Sequence, residues 1–160
     1  MAITKTLGVI KFSYGYNDIF DQVNLISNDI AETILNDEKI PQTDEYGLSE
    51  DEKYSVVRMM KHGADEIFRK LLKITNGISN SVVLSDTVCE CSIKDKGAYN
   101  ENVLQAIDRL IEEAIVNYII KDWFTDKMVK DHAVNYTAKY VRNIQEIVKK
   151  SVQLRKPTLT

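Results

Sequence analysis

Apolar residues along this chain recur mostly at helical spacing. Ile19, Phe20, Val23, Ile26, Ile30, Ala31 and Ile34 fall at i, i+3/i+4 and i+7, predicting a first helix whose free N–H groups Asn17 or Asp18 would cap. Ser49 with Glu52 three residues on makes a capping box. The helix it opens follows Tyr54, Val57, Met60, Ala64, Ile67, Phe68, Leu71 and Leu72 for about 27 residues, with Gly77 placed for the left-handed position beyond its end. A third helix, capped by Asn100, shows Val103, Leu104, Ile107, Leu110, Ile111, Ala114, Ile115, Tyr118 and Ile119, a face wide enough to be central in a bundle. Trp123 and Phe124 are bulky enough to fix a corner after it, and Thr125 or Asp126 would cap the next helix. That fourth helix runs through Met128, Val129, Ala133, Tyr136, Tyr140, Val141, Ile144, Ile147 and Val148. Its pattern fades after Val152, and Pro157 stops continuation because it lacks an N–H and disfavours helix at Lys156.

Two segments depart from this period. Residues 7–14, "LGVIKFSY", alternate Val9, Lys11 and Ser13 with Ile10, Phe12 and Tyr14, which predicts a strand within the domain or an extended arm over 1–14. Residues 81–93, "SVVLSDTVCECSI", are rich in Val, Thr and Ile, and the Ser-Asp pair can turn them into a hairpin. Residues 36–48 hold Pro41, Gly47 and several acids without a sustained period, so they are expected to form an exposed acidic loop. The expected fold is mainly α: a helical bundle of about four helices with a short β-hairpin insertion and an extended basic C-terminal tail. One domain would span 1–152, and the tail would be 153–160.

At 160 residues, 44% hydrophobic and 28% charged, the chain can bury one core. No stretch approaches the roughly 18 consecutive apolar residues of a membrane span, and residues 1–11 lack the apolar core of a signal peptide, so an intracellular protein is expected. The formal net charge of −3 hides a polarity. From Lys127 onward there are eight Lys/Arg against Asp131 and Glu146, or +6; subtraction from the totals of 21 basic and 24 acidic residues leaves −9 for residues 1–126. Such a chain can meet its own copies head to flank through opposite charges.

Candidate chemistry is thin. The six glycines are scattered and none forms a phosphate-cradling loop, while G-x-S-x-G, H-E-x-x-H and C-x-x-C are absent. Cys89 and Cys91 would point to one face of a strand as reduced thiols, since cysteines so close on one strand strain a disulfide. His62 and His132 have no partner at metal-ligand spacing. The acidic pairs Asp51–Glu52 and Glu112–Glu113 sit where helices carry solvated carboxylates. No catalytic, cofactor or metal residue is expected, and the chain does not read as an enzyme.

The basic C-terminal end admits three readings. It is a solvated helix end in which Lys149 and Lys150 complement the macrodipole, a nucleic-acid contact, or a segment that orders in a partner's groove. The first leaves Arg155 and Lys156 unexplained, and an acidic chain argues against the second.

A long helix reading "YNENVLQAIDRLIEEAIVNYIIKDWF", a second reading "DKMVKDHAVNYTAKYVRNIQEIVKKSV" and a basic "QLRKP" together resemble the head-to-tail connector (adaptor) proteins of tailed bacteriophages. The likeness is best over 99–157 and weaker over 17–75. It implies a virion protein at the head–tail junction, made in the bacterial host cytoplasm, forming a homo-oligomeric, typically dodecameric, ring under the portal protein. It further implies a stopper or tail-completion protein on the other face, DNA passing through the lumen without specific binding, and no membrane. Portal binding would fall on Lys149, Lys150, Gln153, Leu154, Arg155, Lys156 and Pro157, and the subunit core on Ile107, Ile111, Ile115, Trp123 and Tyr140. The hairpin at 81–93 departs from the plainest all-helical adaptors. The alternatives are another head-completion or tail-terminator protein and a small helical DNA-binding regulator.

Overall fold

The computed structural model describes residues 3–6, 8–38, 47–75, 81–94 and 99–154. The fold is mainly α, with four long helices and a small antiparallel sheet. Strands β1 (Ile3–Thr6) and β2 (Val9–Gly15) lead into helix α1 (Tyr16–Glu38). A 3-10 turn (Glu50–Glu52) opens α2 (Lys53–Thr75), strands β3 (Val82–Leu84) and β4 (Val88–Lys94) follow, and α3 (Glu101–Asp126) and α4 (Lys130–Val152) complete the chain.

Residues 3–6 and 9–15 form strands within the domain and not an arm, and β3 and β4 form the expected hairpin, pairing antiparallel on either side of Ser85 and Asp86. The two β segments join in one sheet of order β1-β2-β4-β3, because β2 pairs along its whole length with β4. The register sets Ile10 opposite Ile93, Phe12 opposite Cys91 and Tyr14 opposite Cys89, and all six side chains are buried on one face. The alternation puts Lys11, Ser13 and Glu90 on the other face, where the Glu90 carboxylate accepts from Lys11 Nζ at 3.1 Å and Ser13 Oγ at 2.9 Å. Thr6 pairs with Val9, and Gly8 turns between them at φ 79°, a conformation that glycine adopts without a Cβ clash.

The capping expectations hold in part. Asn100 Oδ1 accepts from the Asn102 N–H at 3.1 Å, and the Ser49 N–H donates to the Glu52 carboxylate at 2.9 Å. At α1 the helix begins earlier than Asn17 or Asp18 because β2 passes straight into it, and the Tyr16 N–H is satisfied by the Thr87 carbonyl at 2.8 Å. The stretch read as an exposed loop over 36–48 also differs: α1 runs to Glu38, and Leu48 is buried, its N–H donating to Ser27 Oγ at 3.3 Å. Residues 39–46 and Gly77 lie outside the described residues. Tyr54, read as part of the apolar stripe, is exposed at the start of α2.

Helix α3 is central, packing on α4, α2 and α1. Ile107, Ile111, Ile115, Trp123 and, from α4, Tyr140 are buried in the shared core. Trp123 and Phe124 lie within the last turns of α3 instead of at a corner, and neither Thr125 nor Asp126 caps α4. A Schellman motif makes the turn. The Met128 N–H reaches the Thr125 carbonyl at 3.1 Å, the Val129 N–H reaches Phe124 O at 2.9 Å, and Met128 sits at φ 59° where glycine is usual. Among the described residues no helix is long and apolar enough to cross a membrane.

Candidate docking surface

The core fixes which way α4 faces. Gly63 of α2 lets Tyr118 of α3 approach so closely that a Cβ there would stand 2.8 Å from the ring. Tyr118 in turn meets Tyr140 of α4 edge-on, with ring centroids 5.4 Å apart. One turn further on, buried Asn143 accepts from Asn117 Nδ2 at 2.7 Å and donates to Glu113 Oε2 at 3.2 Å. Ala133, Tyr136, Tyr140, Asn143 and Ile147 therefore form the inner face of α4.

Its outer face carries a second stripe, apolar except for Gln145. Val134, Ala138, Val141, Gln145, Val148 and Val152 recur at i, i+4, i+7, i+11, i+14 and i+18, a coiled-coil spacing, and all six are exposed. Val134 is 69% and Val152 73% exposed, so these are side chains without cover in the described chain. At about 1.5 Å per residue the stripe is about 27 Å long. Arg142 and Lys149 border it by helical position. The sequence pattern had placed Met128, Val141 and Val148 on the core face, and the structure exposes all three.

The expected portal-binding residues separate into groups. Lys149 is exposed, 3.9 Å from the Glu146 carboxylate, while Lys150 is half-buried. Gln153 is exposed, but Leu154 is 1% exposed and its carbonyl accepts the Asn100 N–H at 3.2 Å. The chain therefore does not leave the domain at Gln153, and Leu154 belongs to the core, where no partner can reach it. Arg155, Lys156 and Pro157 lie outside the described residues.

Two other places were candidates for chemistry. A cleft of about 410 Å³ is lined by Tyr14, Asp18, Asp108 and Glu112. There the Tyr14 hydroxyl donates to Asp108 Oδ1 at 2.8 Å, and Gln22 Nε2 donates to Glu112 at 2.5 Å, so the polar groups join β2, α1 and α3 to one another. Burial first, and then the Asp108 carboxylate, hold the Tyr14 pKa well above its ordinary value. Cys89 and Cys91 are fully buried free thiols whose pKa values burial pushes up to about 11 and about 12, which keeps them protonated and unreactive near neutrality. His132 packs against the Phe124 ring at 5.7 Å. No group of His, Cys, Asp and Glu suited to a metal occurs among the described residues.

A scan against protein-family models finds no match, and searches of curated proteins and of solved structures return no similar protein.

Proposed function

We propose that this chain is a structural virion protein, a head-to-tail adaptor that forms a homo-oligomeric ring beneath the portal and joins it to the tail or a stopper, with DNA passing through the ring. The observation that carries the reading is the outer face of α4, where about 27 Å of exposed, cation-bordered apolar stripe runs toward the basic chain end. Such a face suits contact with protein. The helix order and basic segment of residues 99–157 add the resemblance to adaptors, and a mainly α fold favours that family over β-dominated tail terminators. A DNA-binding regulator is less well supported, because the α4 cations flank valines that a phosphate backbone would leave uncovered.

The portal-docking segment in this reading begins at Arg155, since Leu154 is part of the body. Purified portal from the same genome, offered to the full chain and to a chain ending at Leu154, tests it. Capture by the full chain alone, with rings in electron micrographs, is the expected result. Capture by neither form would refute the adaptor role, and equal capture by both would refute the docking of the tail.

A further inference from the structure

We propose that the outer face of α4 docks on the outer face of α1 in a second copy of this chain. The charges of the two helices are complementary. Helix α4 holds Lys130, Lys139, Arg142, Lys149 and Lys150 against Asp131 and Glu146, whereas α1 holds six acids (Asp18, Asp21, Asp29, Glu32, Asp37 and Glu38) and no base.

The exposed residues of α1 are also arranged to receive a helix. Asp18, Asp21, Leu25, Asp29 and Glu32 fall at i, i+3, i+7, i+11 and i+14, all are exposed, and Leu25, 66% exposed, lies at the middle of the stripe. This stripe is about 21 Å long. Among the described residues none of its four acids has an ion-pair partner, and neither does Arg142. An apolar row bordered by the unpaired Arg142 and by Lys149, which has one weak surface contact with Glu146, thus has on the same molecule an acidic row of similar length with an apolar centre.

The alternative self-contact, α4 on α4, sets Arg142 and Lys149 against their own copies, and like charges facing one another are unfavourable. Among the described residues α1 and α4 form no extensive contact within one chain, so the two faces are separate patches and the contact is heterologous. A heterologous contact makes a ring when it closes and a filament when it does not. One helix-on-helix contact buries less than the roughly 800 Å² per side of a standard stable interface, so each link is salt-sensitive and closure, which holds every copy twice, supplies the remaining stability. The inference deepens the adaptor reading by naming its subunit contact, and rests on that reading only for closure into a ring.

Covalent trapping tests it. A full-length chain carrying both Leu25→Cys and Val141→Cys, oxidised at low salt, should give a ladder beyond the dimer on a non-reducing gel. Chains carrying either substitution alone should stay monomeric. Both positions are exposed and the native Cys89 and Cys91 are fully buried, so folding and background linkage are not disturbed. Adding Arg142→Glu and Lys149→Glu should reduce the ladder at least tenfold. A double variant that stays monomeric would overturn the proposal, as would dimers of the Val141→Cys chain alone, which would show α4 meeting α4. A ladder without portal capture would leave this contact standing and sink the adaptor role, while portal capture without a ladder would do the reverse.

Discussion

The Asn100 N–H donates to the Leu154 carbonyl at 3.2 Å, which ties the residue before α3 to the turn after α4. With the Leu154 side chain buried, the last described residues close the α3–α4 hairpin. Leu154→Ala should therefore cost about 2–5 kcal/mol, the range for a leucine removed from a core. Val152→Ala, at a site 73% exposed, should change stability by less than about 0.5 kcal/mol. Urea unfolding of both variants decides the matter, and equal effects would remove Leu154 from the core.

Met128 occupies a left-handed conformation at φ 59° with its side chain 81% exposed, so it carries a backbone cost with little packing in return. Met128→Gly should raise stability by about 1 kcal/mol, read as a higher denaturant midpoint at unchanged slope. Lower stability would mean that the Schellman turn depends on contacts of the methionine side chain.

Asn143 joins Asn117 and Glu113 across the α3–α4 interface. Asn143→Ala leaves both partners half-satisfied and should cost about 1–3 kcal/mol. Adding Asn117→Ala should then cost little more, because the two side chains share one bond, and a double-mutant cycle measures that coupling. Full additivity would show the bond to be worth nothing.

The buried thiols give the protein a sensitivity to base. Burial raises Cys89 from 9.0 to about 11 and Cys91 from 9.0 to about 12, so above pH of about 9 the unfolded chain releases protons that the folded chain retains. The contribution is fully present below that pH and is lost as pH rises through about 11 and about 12. Unfolding midpoints across this range should fall, and Cys91→Ala, although less stable at neutral pH, should show a shallower decline. An unchanged slope would assign the decline to other groups.

Helix existence was legible in the sequence wherever apolar spacing was long and a cap residue stood at its start, as at Asn100 and Ser49. The pairing of β2 with β4 was not, because strands carry no local mark of their partner and these two lie far apart in the chain. On α4 the valines were visible, but Val141 and Val148 directly follow the core residues Tyr140 and Ile147 in sequence, so the two apolar rows run side by side along the chain while lying about 100° apart around the helix. A pattern of spacing alone does not separate a core face from a seam awaiting a partner. The break between α3 and α4 was legible but set a few residues early, because the left-handed position that ends α3 is Met128 where glycine usually marks it. At Leu154 the loss of helical period was correctly seen but equated with departure from the core, although a buried leucine needs no helix.

The pairing of β2 with β4 also sets an order of events during synthesis. Ser13 and Glu90 face each other across the sheet although 77 positions separate them, so β2 leaves the ribosome roughly 4–16 s before β4 at about 5–20 residues per second. Through that interval Ile10, Phe12 and Tyr14 have no sheet partner on their inner side, and α3, whose Asp108 receives the Tyr14 hydroxyl, emerges later still. Burial of these three side chains is therefore completed only after β4 and the centre of the bundle have been made.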